Sequence, residues 1–238
     1  MTTSLSRRVA SELVGTAFLV AAVVGSGIMA ERLAGGNIGV ALLANTVATA
    51  AALVALILTF GPISGAHLNP AVTLADALES GISWWDVPMY IAAQFAGGIV
   101  GVILTHLMFG LHWYSLSTHT RSGWPLVLSE FVATFGLVSV IWGCSRTKPN
   151  VIPFAVAAYI TSAYWFTAST SFANPSVTVA RALSDTFAGI RPADVPLFLA
   201  AQIAGALLAT FLFRWLVPGL RATAEATLLP HETGKTNE

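Results

Sequence analysis

Six long apolar stretches run along the chain, at 9–30, 38–60, 87–109, 124–144, 151–170 and 195–217. Each has about the ~20 residues that a helix needs to cross a hydrocarbon layer of about 30 Å. Two shorter segments between them are near copies of each other, Asn69-Pro70-Ala71-Val72-Thr73-Leu74-Ala75-Asp76-Ala77-Leu78 and Asn174-Pro175-Ser176-Val177-Thr178-Val179-Ala180-Arg181-Ala182-Leu183, identical at seven of ten positions. Each places Asn where a helix N-cap belongs and Pro at the first helical position, where the missing N–H is no loss. At about 1.5 Å per residue, ten residues span roughly half of the layer. Two half-helices make one span, so the pattern predicts broken helices whose N-termini meet inside a membrane.

The duplication extends beyond these boxes. Asp86-Val87-Pro88 and Ala92-Ala93-Gln94-Phe95-Ala96-Gly97 recur 108 positions later as Asp194-Val195-Pro196 and Ala200-Ala201-Gln202-Ile203-Ala204-Gly205, and Glu12 and Glu130 open equivalent spans. Each repeat, about 9–110 and 124–217, therefore holds three spans and one half-helix. Three is odd, so the second repeat enters the membrane inverted and the half-helices approach the midplane from opposite sides. The fold class expected is an all-α membrane protein with six transmembrane helices and two re-entrant half-helices.

Composition agrees: 55% of residues are hydrophobic and 9% charged, with mean hydropathy +0.76, against about 25% charged in soluble domains. The formal net charge is zero, so no basic surplus points to nucleic acid. Cys144 is the single cysteine, which excludes an intrachain disulfide and a cysteine metal cluster. Arg7, Arg8, Arg146, Lys148, Arg214, Arg221 and Lys235 fall on one side, against Arg32, Arg121 and Arg191 on the other, so both termini are expected in the cytoplasm. The N-terminal apolar run has no small-residue cleavage site and reads as a retained span. Residues 1–8 read as an N-terminal tail, 9–220 as one channel domain, and the polar segment 221–238 as a disordered cytoplasmic tail.

The motif set Glu12-Leu13-Val14-Gly15-Thr16, Ser64-Gly65-Ala66-His67-Leu68-Asn69-Pro70-Ala71-Val72-Thr73, the second Asn174-Pro175 box and the repeated AAQxAG resembles the aquaporin (major intrinsic protein) family over residues ~9 to ~217. The resemblance implies one pore per subunit, a cell-membrane homotetramer, and no cofactor. It also implies a constriction built from one residue on span two, one on span five and two flanking the second box, the last being Arg. Ungapped alignment on the two Asn residues places Thr49, Ser162, Ser171 and Val177 there, all small and uncharged. Val177 stands where the family has Arg. The alternative is that Tyr159, Tyr164 or Phe172 fills the gap.

The half-helix N-termini carry unsatisfied N–H groups and partial positive charge, which repels cations and protons. Asn69 and Asn174 can cap through oxygen while presenting NH₂ donors to a passing solute. A constriction without the aromatic, the His and the Arg is wider and loses its fixed charge. Water, glycerol, urea and uncharged metalloid hydroxides such as arsenous acid are the solutes expected. Glu12 and Glu130 lie in apolar helices, where symmetric placement favours accepting loop N–H groups over relaying protons. A proton-coupled transporter with inverted repeats is the competing reading; an enzyme has no nucleophile–base pair or phosphate loop to support it.

Other residues read as structural or open. His67 precedes the first box and faces a vestibule or the packed interior. His106, His112 and His119 match no metal spacing. Trp84, Trp85, Trp113 and Trp124 suit membrane interfaces. Gly97 and Gly101 allow close helix packing. Asp76 and Arg181, at matching positions in the half-helices, are expected to form local ion pairs.

Overall fold

Eight α-helices make up the computed structural model, which describes residues 3–145 and 148–217: α1 (Leu5–Leu33), α2 (Ile38–Ser64), α3 (Pro70–Leu78), α4 (Val87–Met108), α5 (Trp124–Ser145), α6 (Ile152–Phe166), α7 (Pro175–Arg181) and α8 (Val195–Leu216). Five stretches, Leu5–Leu33, Ile38–Ser64, Val87–Met108, Trp124–Ser145 and Pro192–Leu216, are long and apolar enough to cross a membrane. The expected fifth span is shorter than its apolar run: α6 has 15 residues, about 22 Å at the helical rise. Thr167 turns to an extended conformation (φ −104°, ψ 139°), and the rest of that run forms the loop that leads into α7.

One boundary moves. Helix α1 begins at Leu5, so the expected tail 1–8 is half helical, and Arg8 Nη2 donates to Asp86 Oδ2 at 2.7 Å. The expected C-terminal tail, 221–238, lies outside the described residues.

The two halves are related by an approximate two-fold arrangement. Helix α1 packs on α4 as α5 packs on α8, while α3 lies beside α8 and α7 beside α4. Arg214 on α8 donates from Nε to Glu79 Oε1 (2.8 Å) and from Nη2 to Leu78 O (2.9 Å), pinning the end of α3 to the face where α1 begins and α8 ends. On the opposite face the loop 109–123 is tied to the end of α7 by Ser115 N to Leu183 O and Ser117 N to Ala182 O, both 3.0 Å.

Close helix approach depends on missing side chains. A Cβ on Gly97 or Gly101 of α4 would strike the Leu13 or Ala17 carbonyl oxygen of α1, and one on Gly205 of α8 would strike the Phe131 carbonyl of α5. Association inside lipid gains little from the hydrophobic effect and relies on such backbone contact. The exposed tryptophans Trp84, Trp85, Trp113 and Trp124 sit at helix ends, whereas Trp142 is buried and donates from Nε1 to Thr210 Oγ1 at 3.2 Å.

Gly97→Val and Gly205→Val are expected to lower the thermal midpoint and yield of detergent-purified protein, through overpacking of about 1–3 kcal/mol. Gly61→Ala, with open space at its Cβ, serves as the control and leaves the midpoint unchanged. Wild-type midpoints in both valine variants would refute the close-contact account.

Candidate functional site

Two loops enter the centre of the bundle in a strained conformation. The first carries left-handed φ values at Gly65 (86°), Ala66 (47°) and Leu68 (49°); the second repeats them at Thr170 (63°), Ser171 (52°) and Ala173 (48°). Five of these six residues have a side chain, and each such conformation costs on the order of 1–3 kcal/mol unless its surroundings enforce it. The buried carboxylates provide the enforcement. Glu12 accepts from His67 N (3.0 Å) and Ser64 Oγ (2.7 Å) on Oε1, and from Leu68 N (2.7 Å) and Gln94 Nε2 (2.8 Å) on Oε2. Glu130 accepts from Phe172 N and Ala173 N, both 2.9 Å, and from Gln202 Nε2 at 2.6 Å. Gln94 and Gln202 also reach Thr73 Oγ1 (2.9 Å) and Thr178 Oγ1 (2.8 Å), tying each carboxylate to its half-helix.

Each loop ends in an Asn that caps the helix after it. Asn69 Oδ1 accepts from Ala71 N at 2.9 Å, with Pro70 at the first helical position; Asn174 Oδ1 accepts from Ser176 N (3.0 Å), Val177 N (3.3 Å) and Ser176 Oγ (2.8 Å), after Pro175. The amide nitrogens cross over. Asn69 Nδ2 donates to Ala173 O at 2.8 Å and Asn174 Nδ2 to Leu68 O at 2.7 Å. One of the two N–H groups of each Asn is thus committed to the opposite loop, and one is left for a solute, half of what the sequence suggested.

A cavity of about 550 Å³ passes these caps, lined by residues of α1, α2, α5, α6, α7 and both loops. Its wall is mostly apolar, including Leu19, Val23, Leu53, Ile141 and Ile160. Among the expected constriction residues, Thr49, Ser171 and Val177 reach it. Ser162 does not. It is exposed on the outer side of α6, with its Oγ donating to Tyr159 O at 2.7 Å, because two residues along a helix rotate a side chain by about 200°. Tyr164 lines the cavity in its place, its hydroxyl donating to Thr49 Oγ1 at 3.3 Å. An aromatic ring therefore stands on α6 in place of the small Ser162, at one of the three positions that the alternative had named. Tyr159 stays outside the cavity and bonds Val132 O, while Phe172 lines it.

The two mouths differ in charge. His67 and Phe172 hold equivalent places before the two Asn caps, as do Asp76 and Arg181 in the half-helices. His67 Nδ1 lies 3.1 Å from Thr73 Oγ1, and its Nε2 is 3.5 Å from Asp76 Oδ2, both side chains buried. At the other mouth Arg181 is 3% exposed, with its Cζ 3.4 Å from the centre of the Phe172 ring and its Nε donating to Ala188 O. The ion pair expected for Arg181 is not formed with any described residue. Arg121, from the loop 109–123, donates from Nε to Gly189 O (2.7 Å) and from Nη1 to Ser169 O (3.2 Å), with Cζ 5.0 Å from the same ring. Burial lowers its pKa against the pull of Glu130 and Tyr164, but a guanidinium starts so far above neutrality that it stays charged. Val177 itself is uncharged, but one turn further along α7 Arg181 adds a fixed positive charge to the cavity wall. Arg181 was legible, since positions 177 and 181 share a helix face; Arg121 gave no local signal.

His106 is buried, its Nδ1 2.7 Å from His112 O and its Nε2 2.8 Å from Ser184 Oγ. Among the described residues no group of three His, Cys, Asp or Glu side chains is arranged to hold a metal.

The chain is 50% identical to the aquaglyceroporin AqpS of Rhizobium meliloti (strain 1021), over 94% of this chain and 97% of the relative. It is 31% identical to a probable aquaporin, AqpM, of Archaeoglobus fulgidus, over 91% and 99%. The X-ray structure of the aquaglyceroporin from Plasmodium falciparum superposes with a TM-score of 0.67 over 92% of this chain and 100% of that one; at 18% identity the likeness is one of fold. The profile of the family described as Major intrinsic protein matches residues 1–167. With capped half-helices meeting beside a continuous apolar cavity, and relatives of this closeness along nearly its whole length, the chain belongs to the major intrinsic protein family.

Proposed function

We propose that this protein is a passive channel for small neutral solutes: water, together with glycerol- or urea-sized molecules and uncharged metalloid hydroxides such as arsenous acid. The observation that carries this reading is the meeting of two half-helix N-termini, capped by Asn69 and Asn174, on a cavity with mostly apolar walls. Their partial positive charges disfavour cations and protons. The remaining amide N–H groups and the Thr49 and Tyr164 hydroxyls offer a neutral solute a few hydrogen bonds at low desolvation cost. Similarity to an aquaglyceroporin supports solutes larger than water. Thr49, Tyr164, Ser171 and Val177 form the selectivity constriction in this reading.

The proton-coupled alternative is weakened by how the buried carboxylates are used. Glu12 and Glu130 are saturated by loop and glutamine donors, so in this reading they hold the loops. In this reading the protein sits in the cell membrane as a homotetramer, as family membership suggests, and the lysine and arginine asymmetry of the loops supports cytoplasmic termini. Exposed apolar residues of α2, among them Val40, Leu43 and Val47, face lipid and neighbouring subunits.

Stopped-flow light scattering of reconstituted vesicles tests the reading. Water, glycerol, urea and arsenous acid gradients are expected to relax at rates linear in concentration and indifferent to uncouplers. Saturation or a dependence on the proton gradient would favour the transporter.

Glu12→Gln and Glu130→Gln turn one acceptor oxygen into a donor facing loop N–H groups, at a cost of about 1–3 kcal/mol each. Folded yield is expected to fall more than the glycerol-to-water ratio changes. Normal folding with loss of proton-dependent transport alone would overturn the loop-holding role.

Val177→Arg is expected to lower glycerol permeability at least about tenfold relative to water, some 1.4 kcal/mol of added barrier. Equal loss of both fluxes, or of neither, at matched protein density would remove Val177 from the constriction.

A further inference from the structure

We propose that the mouth on the face of the loop 109–123 is a binding site for a small oxyanion, held between Arg181 and Arg121 beside Phe172, and that the bound anion reversibly occludes the pore. The inference rests on the reading of the cavity as the conduction path. It adds to that reading a charged ligand that does not itself pass.

The first observation is charge without a partner. Arg181 is almost wholly buried and lines the cavity. Its Nε is used by Ala188 O, and among the described residues no acceptor meets its two terminal nitrogens. Arg121 is fixed by the Gly189 and Ser169 carbonyls, which leaves its Nη2 unpaired by any described group. Both guanidiniums lie over the one Phe172 ring.

Three carboxylates around this mouth make their hydrogen bonds elsewhere. Asp194 accepts from Arg191 Nη2 at 2.8 Å and from the Arg121 backbone N, not its side chain, at 2.8 Å. Asp185 accepts from Thr118 N and Oγ1. Glu130 is taken by Phe172, Ala173 and Gln202. Glu130 attracts both guanidiniums at a distance, but no described carboxylate hydrogen-bonds either side chain, so two neighbouring cations keep free N–H groups in a confined mouth. A guanidinium pair with free N–H groups fits carboxylate or tetrahedral oxyanion oxygens by charge-assisted, bidentate bonds.

The opposite mouth argues that this is a built difference. There the equivalent of Arg181 is Asp76, turned toward His67, so only one mouth attracts anions. Beyond Arg181 the cavity wall is mostly apolar, with Val177, Ile160 and Leu53 among its residues, and its few hydroxyl and amide donors do not replace the hydration shell of an anion. The anion stops at the mouth, and neutral solutes wait for it to leave.

The test uses sodium phosphate as probe, against sodium chloride at equal ionic strength. Phosphate is expected to raise the thermal midpoint of the purified full-length protein and to slow glycerol flux into proteoliposomes in a saturable way. With phosphate on both sides, flux falls to about a tenth at ten times the Kd, as occupancy dictates. Arg181→Gln and Arg121→Gln are each expected to remove both effects, and Arg181→Lys to keep a weakened version of them. Should Arg181→Gln fail to fold, Arg121→Gln carries the same readouts. A phosphate effect retained in the folded glutamine variants, or absent from wild-type protein with normal glycerol flux, would overturn the site and leave the channel reading standing. Absence of glycerol flux from wild type without phosphate would instead sink the channel reading.

Discussion

Backbone N–H groups that enter the interior of a membrane protein must find acceptors there, because neither water nor lipid supplies them. In this chain that constraint is met by two carboxylates. Glu12 and Glu130 each accept two consecutive loop amides and one glutamine, and the rest of the site depends on them. With the amides held, the left-handed residues before each Asn are enforced, and the Asn side chains arrive at the centre already oriented as caps. Each unsatisfied N–H would cost on the order of 1–3 kcal/mol, comparable to the cost of the strained conformations it accompanies. Removing the acceptor would therefore release both at once.

The caps also join the two halves. Because Asn69 donates to Ala173 O and Asn174 to Leu68 O, neither half-helix can shift without breaking a bond made by the other. A site shared between repeats in this way gains rigidity from both, which suits a pore whose selectivity depends on a few ångströms. The price is that each Asn keeps one donor, not two, for the solute.

Symmetry of backbone is combined here with asymmetry of charge. The repeats share loops, caps, glutamines and close-packed glycines, yet the pairs His67–Asp76 and Phe172–Arg181 give the mouths opposite character. Backbone geometry repeats because the same amide problem is solved twice. Side chains beyond the caps are free of that constraint and can differ, so direction-dependent behaviour can arise from a two-fold scaffold.

Elements governed by local or repeated pattern were legible in the sequence. Apolar run length marked the spans, the Asn-Pro starts marked the half-helices, and the 108-position offset paired Gln94 with Gln202 and Gly97 with Gly205. Paired charges in apolar helices pointed to the loop amides, since a lone carboxylate there has few other uses. Thr49 was reached by counting back from Asn69, across a loop of four residues that follows a regular helix. The same count back from Asn174 crossed Thr167–Ala173, an irregular segment whose rise cannot be read from residue types, and an offset of two residues put Ser162 on the wrong side of α6 in place of Tyr164. Arg121 lies about fifty positions from the second box in sequence, and only its side-chain hydrogen bonds to Gly189 and Ser169 bring it beside Phe172 of the pore wall. Periodicity and repetition determined which helices form and how they pair, because both are properties of sequence neighbours. Which side chains face the lumen was decided by helix rotation and by loop contacts far apart in sequence, which exist only once the chain has packed.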